Sequence, residues 1–245
     1  MTDRTDRWGL ADTAALLVSP QALVAFVAVA GASWLRAVLV ARMSSGLATG
    51  ETSAAMIAFA AMVAGIVLAV LAAALHFWLS RSLAGPPGSA RPPAIGLWLG
   101  LALFTIVISF AVSAIAPVIY YGLMGGIATE RVLVLLQGFN VAVRAVLFPF
   151  SVFMVALAHD GRSDGFGARF GFVLGRGIGY LAAIVAVGGV LVVGQAMLLR
   201  GMPPPVVPIV QSLVSGAAQV LFIVIAIGAH RAFRLASDRP SATFG

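Results

Sequence analysis

The stretch QGFNVAVRAVLFPFS, residues 137–151, lies inside an apolar run long enough to cross a membrane, yet it carries Arg144 near its middle, with Gln137 and Asn140 ahead of it. At 100° per residue, Gln137, Asn140, Arg144 and Ser151 fall within an arc of about 60° on one helix. They make a single polar stripe. Arg144 follows Arg131 by roughly 20 Å of helix, too deep for its side chain to snorkel easily to the surface. Facing lipid at that depth, it would cost about 3 kcal/mol on insertion scales. The stripe is therefore expected to face the inside of a helix bundle.

The rest of the chain supplies such a bundle. It has 245 residues, 61% hydrophobic and 9% charged, with a mean hydropathy of +1.08. A soluble domain carries about a quarter charged residues, so this chain requires lipid as its solvent. Six stretches reach the roughly 20 residues needed to span a bilayer, near 20–41, 53–80, 94–122, 131–158, 172–199 and 208–230. A short interfacial helix is expected ahead of the first, between Trp8 and Val18, with Ser19 as an N-cap and Pro20 at the first helical position. The expected fold is all-α: a polytopic membrane bundle forming one membrane domain over 1–245. It comprises a tail and interfacial helix (1–19), six spans (20–230) and a basic tail (231–245). No connection is long enough to hold a soluble domain. The connections RSLAGPPGSARPP (81–93) and RGMPPPVVP (200–208) are rich in proline, and the second is expected to be stiff.

The charges give an orientation. The net charge is +7 and every basic residue is arginine. The arginines are scattered between apolar segments, which does not form a phosphate-tracking patch, so no nucleic-acid partner is expected. The termini and the 81–93 and 159–170 connections hold Arg4, Arg7, Arg81, Arg91, Arg162, Arg169, Arg231, Arg234 and Arg239. The opposite side holds Arg42, Arg131 and Arg200. This excess places both termini in the cytoplasm.

Several chemistries are poorly served. There are no cysteines, which excludes disulfides, thiolate metal sites and a cysteine nucleophile. The acidic residues lie in loops, tails or span ends. The spans thus lack the carboxylate that ion-coupled transporters usually carry at membrane depth, and the usual general acid or base. No catalytic triad order, phosphate-cradling loop or zincin motif appears. The expectation is a protein that is not an enzyme and needs no cofactor. The three histidines, His76, His159 and His230, each stand where an even-numbered span leaves the membrane. If those spans were neighbours, the rings could meet and bind a metal or a haem. The simpler reading is amphipathic residues in the headgroup layer, and no metal site is assigned.

Gly167, Gly171, Gly175 and Gly179 recur every four residues, which predicts a glycine groove for close helix packing. If the helix begins early enough, Arg162, Arg169 and Arg176 share a face toward anionic headgroups. Polar residues on other spans match the Arg144 stripe: Ser109, Ser113 and Tyr120 on the third, Gln195 on the fifth, and Gln211, Ser215 and Gln219 on the sixth. These predict a polar chamber in the outer leaflet with Arg144 near its floor. The candidate pocket is Arg144, Asn140, Gln137, Ser109, Tyr120 and Gln219. None is negative. Arg144 is then either internal glue, satisfied by hydroxyls and carbonyls, or it awaits an anionic ligand.

The stretches SPQALVAF, GFVLGRGIGYLAAIVAVGG and SLVSGAAQVLFIVIAIGAHRAFR together resemble the six-helix membrane domain fused to some glycerophosphoryl diester phosphodiesterases and found as stand-alone bacterial membrane proteins. His230 stands where that domain tends to have a tyrosine. The resemblance implies a bacterial inner-membrane protein without chemistry of its own, since the phosphodiesterase domain is missing. The expected role is an accessory or structural subunit, or a lipid-associated module. Its partners would be anionic lipids and either another membrane protein or a second copy. The alternative is a small transporter or anionic-lipid-binding protein built around Arg144.

Overall fold

The computed structural model describes residues 10–48, 53–86, 88–124, 129–162, 165–199, 201–203 and 206–237, and leaves the side chains of 113–137, among others, outside the description. Among the described residues it is all-helical, with eight helices: α1 (Leu10–Leu17), α2 (Pro20–Ala48), α3 (Ala54–Leu83), α4 (Ile95–Met124), α5 (Thr129–His159), α6 (Phe166–Leu174), α7 (Ile178–Leu199) and α8 (Val207–Ser237). Six of these, α2, α3, α4, α5, α7 and α8, are long and apolar enough to cross a membrane.

The helix starts follow local chemistry. Ser19 Oγ accepts a hydrogen bond from the Ala22 amide at 3.2 Å, which leaves Pro20 at the first helical position. Ser53 does the same for α3, accepting from the Met56 amide. The fifth expected span departs from expectation. The chain does not run as one helix from 172. It stops at Leu174, turns through Gly175–Arg176–Gly177, and restarts at Ile178. Each glycine costs a helix interior up to about 1 kcal/mol, so two in three residues make a break inexpensive.

That break undoes the expected glycine groove. Gly167 and Gly171 fall on α6, Gly175 in the turn and Gly179 on α7. A methyl group added at Gly167, Gly171 or Gly179 would meet nothing within 4 Å. The arginines spaced by seven also fail to share a face, because Arg162 precedes α6, Arg169 is buried within it and Arg176 lies exposed in the turn. Close helix approach occurs elsewhere. At Gly216 of α8, an added Cβ would lie 3.0 Å from the Ala30 Cβ and 3.1 Å from its backbone nitrogen on α2.

α8 is the hub of the bundle and packs against α1, α2, α3, α5, α6 and α7. The core is concentrated at one end. Phe148, Val152, Val155 and Leu157 of α5 are fully buried, as are Ile223, Val224 and Ile227 of α8 and Leu79 of α3. Among the described residues, side chains over 138–146 of α5 and 207–215 of α8 are far less covered.

Candidate functional site: a two-arginine chamber above a locked helix end

Three residues of the stripe read from 137–151 share one cavity. Asn140, Arg144 and Ser151 line a cavity of about 550 Å³ to which all six long helices contribute. Ser109 of α4, Gln195 of α7, and Gln211, Ser215 and Gln219 of α8 line the same cavity. Gln137, Ser113 and Tyr120 fall among the side chains outside the description.

The cavity contains polar groups that the sequence reading left out. Arg36 of α2, Thr105 of α4 and His76 of α3 also line it. Arg36 carries the same signal as Arg144, a charge inside an apolar span. His76, read as a headgroup residue, is only 6% exposed, and neither ring nitrogen has a hydrogen-bond partner. Its ring lies 6.5 Å from that of Trp98 on α4, whose indole nitrogen is equally without a partner.

Among the described residues the cavity wall includes no aspartate or glutamate. The Arg144 guanidinium lies 5.7 Å from the centre of the Phe222 ring. Among the described residues no carboxylate lies within salt-bridge distance of it and no hydrogen-bond acceptor is assigned to it. A ring face offers a cation about 0.5–2 kcal/mol, which attracts but does not neutralise. The arrangement can therefore receive an anion. It contains no carboxylate to act as general acid or base.

The C-terminal end of α5 is built differently from this mid-helix site. His159 and Asp160 end the helix, and α8 brings His230 and Arg234 beside them. Asp160 Oδ1 lies 2.9 Å from His159 Nδ1 and 3.3 Å from Arg234 Nη1. Its Oδ2 lies 3.3 Å from His230 Nε2 and 3.9 Å from Arg169 Nη2. His159 Nε2 in turn meets Ser89 Oγ at 3.2 Å. Arg81 donates to the Ala158 carbonyl at 2.9 Å and so covers one of the last carbonyls of α5. The 85–94 connection is pinned alongside, with the Arg91 amide on the His159 carbonyl at 2.8 Å and the Ala94 amide on the Leu157 carbonyl at 3.0 Å. Gly161 has φ +66° and sits so close to the Pro92 carbonyl that no side chain fits. Partial burial tends to raise the Asp160 pKa. The close approach of the His230 ring, the hydrogen bond with His159 and the charges of His230 and Arg234 outweigh it and hold the carboxyl well below the usual carboxylate range.

Two of the three histidines therefore meet, their ring centroids 6.5 Å apart, while His76 stands apart against Trp98. One ligand atom from each of His159, Asp160 and His230 lies within 4.8 Å of the others, a spacing that a metal ion could bridge. Two arginines already face the same carboxylate, however. With neutral imidazoles the cluster is net positive before any cation arrives, so its charge favours a structural lock.

Compared with protein-family models, with curated proteins and with solved structures, the chain matches none.

Proposed function

We propose that this chain is a multi-pass protein of a bacterial inner membrane, one membrane domain with both termini in the cytoplasm and no catalytic centre of its own. Its chamber holds an anionic ligand within the bilayer, in the first place the headgroup of a lipid. The carrying observation is Arg144, set in a cavity bounded by all six long helices, resting on the Phe222 ring and without a carboxylate partner among the described residues. A charge so placed is costly unless something answers it. The polar residues around it can hydrogen-bond a headgroup, and the apolar wall below can accept a chain.

Native mass spectrometry of the full chain, released from its own membranes in a mild detergent, tests this reading. The wild type should retain an anionic lipid, and Arg144→Gln should fold and lose it. Retention of the same lipids by both proteins would end the reading. A second reading, a small anion transporter, draws on the same contribution of all six helices to one central cavity, as in transporters that bind substrate near the bilayer midplane. Anion flux into proteoliposomes, abolished by Arg144→Gln, would favour it over lipid holding.

A further inference from the structure

The chamber contains a second arginine, and the two together narrow the chemistry of the ligand. Helix registers place them. His159 facing His230 and Phe148 facing Phe222 show that α5 and α8 run side by side in the same direction. They set Arg144 level with residues 215–218 of α8. α2 runs the opposite way, since Ala30 packs on Gly216 while Thr13, ahead of α2, packs on Gly228. Arg36 lies six residues beyond Ala30, so it stands about 8–12 Å along the axis from the level of Arg144. Cα–Cβ bonds tilt toward the N-terminus of their helix. Because α2 and α5 run oppositely, the stems of Arg36 and Arg144 tilt toward each other. The Arg144 guanidinium packs on the Phe222 ring, and no carboxylate among the described residues holds it there.

Charge then discriminates among anions. Two guanidinium groups face a cavity whose wall, among the described residues, has no carboxylate. A phosphate diester or a carboxylate brings one negative charge and leaves one arginine unanswered. A phosphate monoester brings about −1.5 to −2 at neutral pH, with its second pKa near 6 and three acceptor oxygens. Its oxygens suit the fork of a guanidinium. Resting on the anionic-ligand reading above, we infer that the chamber selects a phosphate monoester group, shared between Arg36 and Arg144, over singly charged headgroups. The same chemistry is offered by a lipid monoester headgroup and by free phosphate.

The test is the thermal unfolding midpoint of the full chain in neutral detergent, titrated with phosphatidic acid, phosphatidylglycerol or inorganic phosphate. At neutral pH phosphatidic acid should act at about tenfold lower concentration than phosphatidylglycerol. The preference should fade toward about pH 5, where the monoester keeps one charge. Arg36→Gln should remove the preference and leave the response to phosphatidylglycerol. Arg36→Lys should keep the preference in part. A shift with inorganic phosphate alone assigns a soluble anion, and a shift only with phosphatidic acid assigns a lipid. Equal responses to both lipids at neutral pH overturn the monoester inference and leave the anionic-ligand reading standing. No response to any of the three overturns both. The wild-type comparison and its pH dependence decide the matter even if Arg36→Gln does not fold.

Discussion

The middle and the C-terminal end of α5 solve the same problem, buried charge, in opposite ways. At His159 the charges are answered within the chain: Asp160 holds two histidines and two arginines, and the neighbouring backbone is pinned by Arg81 and the 85–94 connection. Fifteen residues earlier Arg144 faces a cavity with a second arginine in the same wall and, among the described residues, no carboxylate. The apolar packing follows the same division, dense around Phe148, Val152, Ile223 and Ile227 and sparse beyond Arg144. A bundle anchored at one end can keep the other open without losing its register. The contrast assigns stability to the Asp160 end and binding to the Arg144 end.

The largest effect is expected from Asp160→Asn. It leaves the guanidiniums of Arg169 and Arg234 facing each other without their carboxylate. Breaking a largely buried charge cluster costs about 3 kcal/mol or more, and the thermal midpoint in detergent should fall accordingly. The pH dependence has a definite sign. A carboxyl whose folded pKa is depressed stabilises the fold fully above its ordinary pKa. That contribution is lost as pH falls through the ordinary range toward the depressed value. The wild-type midpoint should begin to fall with acid below about pH 5, and Asp160→Asn should lack this acid-dependent component. A mutant that melts with the wild type at neutral pH would break the comparison at its stable end.

Glycine substitutions sharpen the same contrast at smaller magnitude. Gly216→Ala presses a methyl group onto the Ala30 backbone, and overpacking of this kind costs about 1–3 kcal/mol. Gly171→Ala meets nothing within 4 Å. It should be neutral or stabilise α6 by about 0.5–1 kcal/mol through helix propensity. Paired melting curves check both, and a larger loss at Gly171 than at Gly216 would reinstate the four-residue glycine pattern as a packing face. Smaller still is Ser89→Ala, which removes one contact to His159. Its effect should be about 0.5–1 kcal/mol.

The parts legible in the sequence are those that depend on one helix at a time. Hydropathy marks six spans because lipid demands continuous apolar length. The angular arc of Asn140, Arg144 and Ser151 marks a polar face, and that face lines the cavity. What the sequence conceals depends on tertiary contact. His159 and His230 are far apart along the chain, and nothing local says that α5 and α8 run side by side to bring both onto Asp160. Arg36 carries the same signal as Arg144, but of the positions three, four and seven residues away on its helix only Ser33 is polar, too little to make a stripe. The every-fourth-residue glycines mislead for a physical reason: the period that suits a packed groove also weakens the helix meant to present it, and the chain breaks at Gly175–Gly177.

The most direct test of the central claim is an experimental density map of the full chain in discs of its native lipid, compared with the same map for Arg144→Gln. The account predicts non-protein density in the chamber against the Arg144 guanidinium, absent from the variant while the Asp160 cluster is unchanged. A map in which every Arg144 donor is paired to protein, or in which Arg144 points into the surrounding lipid, would contradict it.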